Sequence, residues 1–108
     1  MIARIWHGRV PESKAEAYVE FLKTTGLPDY ANTPGNLGVY VLRRTQADHA
    51  DFLLISLWES WESIRRFAGP DVSKAVYYSE DREFLLALEP TVAHYDVVSS
   101  PSTEPRKG

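Results

Sequence analysis

The segment DFLLISLW, residues 51–58, is apolar at both parities of a β-strand. Leu53, Ile55 and Leu57 fall on one side, and Phe52, Leu54 and Trp58 on the other. The segment LGVYVLRRT, 37–45, repeats the pattern: Leu37, Val39 and Val41 oppose Tyr40 and Leu42. An antiparallel sheet with one face in water alternates apolar and polar residues. These strands do not, so both faces of their sheet need cover. A chain of 108 residues supplies helices for one face only. An apolar patch as large as a sheet face is rarely left in water. The simplest cover is a second copy, packed sheet to sheet about a twofold axis. A homodimer is expected.

The remaining segments supply an order for the elements. IARIWHG (2–8) reads as a strand that ends at His7 and a glycine stop. VPESKAEAYVEFLKTTG (10–26) reads as a helix, with Pro11 in its first turn and Gly26 at its end. Ala15, Tyr18, Val19 and Leu22 share its buried face. LPDYANTPGN (27–36) reads as a loop, and QADHA (46–50) as the longer turn of a hairpin. SWESIRRFAG (60–69) is a short helix with Ser60 at the N-cap and Gly69 at the stop. Helical turns are expected near 71–77 and 80–87, and TVAHYDVV (91–98) is the last strand. The order β-α-β-β-α-β predicts an α+β, ferredoxin-like (split βαβ) fold: a four-stranded antiparallel sheet with helices on one face. One domain is expected over 1–99, followed by a disordered polar tail over 100–108.

Composition excludes several function classes. The net charge is −3 and the twelve Lys and Arg are scattered, so a nucleic-acid-binding face is not expected. The absence of cysteine removes disulfides, thiol catalysis and thiolate metal sites. No apolar run is long enough to span a membrane, and MIARIWHGRVPESK is not a secretion signal. A cytoplasmic protein with no membrane partner is expected. No phosphate loop, dinucleotide loop, HExxH or nucleophile elbow is present.

The candidate chemistry lies in aromatics and histidines. Tyr, Trp and Phe make up 12% of the chain; most must fill the core, and a core that merely happens to be aromatic is one reading, yet several carry polar tips. If the second helix and the loop after it stand off the sheet, Trp6, Phe67, Tyr77 and His94 line a cleft. Apolar walls with a few polar tips are the composition of a small-molecule pocket. His49 reads as a solvated turn residue. His7 and His94, on neighbouring strands, are expected to approach each other. Asp96 shares a face with His94, but no third ligand is evident and no metal is expected. Arg43, Arg44, Arg65 and Arg66 read as solvated or salt-bridged. Trp58 is a face residue of its strand and Trp61 a corner plug or interface residue.

The stretch LWES with the following IRRF, the closing EPTVAHYDV and the opening IARIWHGRVPESKAEAYVEFLK resemble the antibiotic biosynthesis monooxygenase domain family over residues 1–98. The resemblance implies a dimeric α+β barrel. It also implies a cofactor-independent monooxygenase that oxidises an aromatic or polyketide-like molecule with O2. On it, His94 and Tyr77 are the catalytic candidates that handle the proton. Trp6, Trp58, Phe67 and Tyr78 hold the substrate ring. A related branch degrades haem with an asparagine on the first strand, a tryptophan late in the second helix and a histidine beyond it. This chain offers Trp6 and His7, Phe67 and Tyr77 at those places, so haem degradation is disfavoured and no cofactor is expected. The alternative is a non-catalytic binding or stress-related protein that uses the same cleft.

Overall fold

β1 (Ile2–Pro11) runs through the middle of the molecule and is the strand around which the rest assembles. It leads through a 3₁₀ turn (Glu12–Lys14) into α1 (Ala15–Thr24) and α2 (Gly26–Asn32). The hairpin β2 (Asn36–Gln46) and β3 (His49–Trp58) follows, then α3 (Trp61–Ala68), α4 (Asp81–Phe84) and β4 (Ala93–Asp96). The computed structural model describes residues 1–101. The strands form one antiparallel sheet in the order β2-β3-β1-β4, the split arrangement that the sequence predicts.

Strand register sorts the side chains into two faces. Ile2, Arg4, Trp6, Gly8 and Val10 of β1 pair with Trp58, Ser56, Leu54, Phe52 and Ala50 of β3 and are all buried beneath the helices. Ala15, Tyr18 and Leu22 of α1, Tyr30 of α2 and Ile64 of α3 complete this core. Each large apolar side chain so buried contributes about 1.5–3 kcal/mol. α3 is held at its start by a reciprocal pair: Ser60 Oγ accepts from Ser63 N, and Ser63 Oγ accepts from Ser60 N, both at 3.2 Å.

The outer face is apolar and open. Leu37, Tyr40, Leu42, Leu53 and Tyr95 are exposed there, and Ile5, Ile55 and Leu57 are half-buried. A register shift between Asn36 and Gly38 turns Leu37 away from Val39 and Val41, with which strict alternation groups it. No helix among the described residues is long and apolar enough to cross a membrane.

Several local expectations need correction. Pro11 closes β1 instead of opening a helix, and α1 starts at Ala15. Gly26 does not end the helical region. The break falls on Thr25 (φ −122°, ψ −86°), and the expected loop over 27–36 is helical as far as Asn32. Burial of Tyr30 stabilises α2 there, and Pro28 sits in its first turn, where an N–H is dispensable. The hairpin turn is two residues, Ala47 and Asp48, with Ala47 at φ +50°. Residues 71–77 form no helix: Lys74 pairs with Thr91 as an isolated bridge. The helix expected over 80–87 contracts to α4. β1 runs on past His7, which faces outward, while His94 pairs with Arg4 on the inner face. The two histidines therefore do not meet. Of the expected tail, 102–108 lie outside the described residues.

Gly8 allows the Trp6 ring to lie across β1. A Cβ on Gly8 would stand 2.2 Å from Trp6 Cη2 and 2.9 Å from Leu85 Cδ2. Gly8→Ala should therefore destabilise the fold by about 1–3 kcal/mol. Thermal denaturation measures this, and an unchanged melting temperature contradicts the packing described.

Candidate functional site

A cavity lies between the inner face of the sheet and the α1–α2 junction. Trp6 and Leu54 form its sheet wall, Tyr18, Leu22 and Tyr30 its helix wall, and Phe67 and Tyr78 close further sides. Its free volume is about 30 Å³. That is room for water but not for an aromatic ring. Tyr78 is half-buried, and its hydroxyl donates to the Asp29 carboxylate of α2 across an exposed contact.

Two charged side chains reach this cavity, and sequence reasoning singled out neither. The first is Arg4, only 2% exposed. The alternation of β1 places it between Ile2 and Trp6 on the buried side. Its Nη1 donates to Val72 O at 2.5 Å and to His94 Nε2 at 3.1 Å, and its Nη2 donates to Lys74 O at 2.8 Å. Its Cζ lies 5.8 Å from the centre of the Phe67 ring. Burial lowers its pKa, with the neighbouring Tyr30 acting the other way. Arginine remains charged regardless. Among the described residues no carboxylate forms an ion pair with it. The available signal was a charge at the apolar parity of a strand, Ile-x-Arg-x-Trp.

The second is Asp81, 4% exposed, which accepts from Tyr78 N at 2.7 Å. Burial raises its pKa above the usual carboxylate range, opposed by that hydrogen bond. A sequence signal for it is lacking: Asp81 follows Ser79 and Glu80 in a polar run.

The expected site residues divide. Trp6, Phe67 and Tyr78 line the cavity together. Trp58 is fully buried behind it, 5.5 Å from the Phe67 ring centre, with its Nε1 donating to Ser56 Oγ at 2.9 Å. Tyr30 stacks on Phe67 at 4.5 Å, and burial pushes its phenol up to about 12. His94 stands on Arg4 and packs against Trp61 at 5.0 Å, outside the cavity lining. Burial, and then Arg4, lower its pKa, so the neutral ring accepts from the guanidinium. Tyr77 also lies off the lining. Its hydroxyl donates to Glu89 O at 2.5 Å, and its ring meets Trp6 edge-on at 6.2 Å. Trp6 Nε1 is buried with no hydrogen-bond partner among the described residues.

A separate ionic cluster occupies one end of the outer face. Asp51 Oδ1 accepts from Arg9 Nε at 3.0 Å and from His7 Nε2 at 3.1 Å, and His7 Nδ1 reaches Glu89. Among the described residues no three His, Cys, Asp or Glu side chains are placed to hold a metal ion.

Solved structures share the fold. A Nitrosomonas europaea protein classed with the antibiotic biosynthesis monooxygenases matches with a TM-score of 0.66, at 16% identity over 92% of this chain and 100% of its own. One from Bacillus cereus, classed in the same way, also gives 0.66, at 18% identity over 97% of this chain and 98% of its own. The haem degrader MhuD from Mycobacterium tuberculosis, with two haems in its active site, gives 0.57 at 19% identity over 94% of this chain and 100% of its own. This chain has their fold. No protein-family model matches the sequence, and no curated protein matches it.

Hydrogen bonds from Arg9, and then His7, hold the Asp51 carboxyl down at about 2. An unfolded aspartate titrates near about 3.9. The stability that Asp51 contributes is therefore complete above that value and is lost as pH falls from about 4 to 2. Acid unfolding followed by circular dichroism should be less steep over this window in Asp51→Asn. An identical profile contradicts the pairing.

Proposed function

We propose that this chain is a cofactor-independent monooxygenase that binds one aromatic or polyketide-like molecule in the inner cavity and oxidises it with O2. The observation that carries this reading is the aromatic lining, with Trp6, Phe67 and Tyr78 around one cavity. The shared fold supports it. A flat ring would gain face and edge contacts with these side chains once Tyr78 moves aside.

In this reading the substrate supplies the electrons. A phenol or enol loses a proton, and the resulting carbanion adds to O2 to give a peroxide. The peroxide loses water and leaves a new carbonyl. One O2 is consumed, one oxygen atom enters the product and the other leaves as water. The protein's part is to orient the ring, take the first proton and steady the oxyanion. Asp81 lines the cavity and is the group that takes the proton; its raised pKa makes it a stronger base than an ordinary carboxylate. Arg4 steadies the oxyanion. His94 acts through Arg4, and Tyr77 through Trp6. The haem reading is not adopted, since the resemblance puts Trp6 and His7, Phe67 and Tyr77 where that branch has asparagine, tryptophan and histidine.

The working unit is a homodimer, packed through the outer face that carries Tyr40, Leu42, Leu53 and Tyr95. Leu53→Glu should shift the mass in solution at micromolar concentration from dimer to monomer. A monomeric parent protein overturns the dimer.

Oxygen uptake over a panel of anthrones and hydroquinones tests the activity. Asp81→Asn should lower the rate by about 100-fold. At neutral pH the same change should raise the melting temperature, because a buried carboxylate with a raised pKa costs stability once ionised. That gain should vanish as pH falls below the ordinary carboxylate range. Binding without oxygen uptake across the panel would favour the ligand-binding alternative.

A further inference from the structure

Arg4 carries a charge that has no counter-ion among the described residues. A buried cation is costly unless it is paired and hydrogen-bonded. Here the acceptors are two backbone carbonyls and a neutral imidazole. A guanidinium has five N–H groups. Three are used in these contacts, and two remain without a partner among the described residues. The side chain also lines the cavity, with the Phe67 ring beside it.

The surroundings restrict what can pair with these two donors. Among the described residues no second arginine and no lysine lines the cavity, while Asp81 stands on its wall. One cation with a carboxylate nearby suits a single negative charge and repels a second. The rest of the wall, Trp6, Leu22, Leu54, Phe67 and Val76, is apolar. A planar guanidinium with two free donors matches the two oxygens of a carboxylate.

We propose that Arg4 anchors the carboxylate of an aromatic monocarboxylic acid, with the ring of that acid lying against Phe67 and Trp6 in the space left once Tyr78 moves aside. This rests on the cavity being the ligand site but not on oxidation taking place there, and it replaces the oxyanion role of Arg4, since both free donors go to the carboxylate. His94 is a positioning residue: its Nε2 takes one Nη1 proton and fixes the plane of the fork. The rival role for Arg4 is structural, tying the 72–74 segment to β1 through the two carbonyls.

The test uses 2-naphthoate and its uncharged analogue 2-naphthamide, with binding followed by calorimetry in the absence of O2. The full chain should bind naphthoate about 10- to 100-fold more tightly than the amide. Arg4→Met should bring the two ligands to the same weak affinity. Arg4→Lys should retain part of the preference for the acid. If Arg4→Met fails to fold, the comparison of the two ligands on the unaltered chain still decides, since a purely structural Arg4 gives no preference for charge. Equal affinity for acid and amide, no binding of naphthoate, or full preference retained in Arg4→Met overturns the proposal. Oxygen uptake with neutral hydroquinones alongside any of these results would leave the monooxygenase reading standing without the carboxylate.

Discussion

A guanidinium buried under a layer of helices must find hydrogen bonds, and Arg4 organises its neighbourhood through the three it makes. One side chain on β1 reaches Val72 and Lys74 on the segment after α3, and His94 on β4. That segment has little regular structure of its own. Beyond Arg4 it is held by Ala75 N donating to Pro90 O and Val92 N donating to Ser73 O. The cavity exists because this segment is held over the sheet, with Val76 and Tyr78 as its far wall. The same contact consumes the lone pair of His94 and draws that ring away from the cavity. A buried charge thus does two things at once: it ties the least regular part of the chain to the central strand, and it leaves a positive end on an otherwise apolar space.

The sheet divides the chemistry by face. On the inner side β1 and β3 alternate large apolar residues with Arg4 and Ser56, and Ser56 in turn accepts from the Trp58 indole. On the outer side the ionic cluster around Asp51 sits at the hairpin end, and the apolar residues Ile5, Ile55, Leu57 and Tyr40 spread toward the other end. The ions are therefore grouped at one edge of the apolar patch and do not interrupt it. Such a pattern suits a face covered by a second copy, with charged contacts at the rim and apolar ones in the middle.

Much of this was legible before any coordinates. Sheet order followed from the succession of elements, and both apolar faces followed from the parity of DFLLISLW. Trp6, Phe67 and Tyr78 were recognisable as aromatics beside apolar neighbours. Other features were hidden for identifiable reasons. The helix Gly26–Asn32 contains proline, glycine and two asparagine-type breakers in or beside it, and local propensity reads it as loop. It forms because Tyr30 gains burial against Trp58 and Phe67. The segment 71–77 reads as a helical turn, yet its backbone is spent on Arg4, Pro90 and Thr91 instead.

What the sequence determined by itself was periodic: which residues share a strand face, which share a helix face, and that one apolar face is left over. Periodicity is a property of neighbouring residues, so it survives without a fold. What only the tertiary structure decided was pairwise and distant. Arg4 meets His94 across ninety residues of chain, Asp81 is buried by a turn that looks solvated in sequence, and His7 and His94 part because adjacent strands present them on opposite faces. Such contacts depend on register and on which segments stack over which strands. No local pattern encodes them, so the charged lining of the cavity became visible only when the chain was folded.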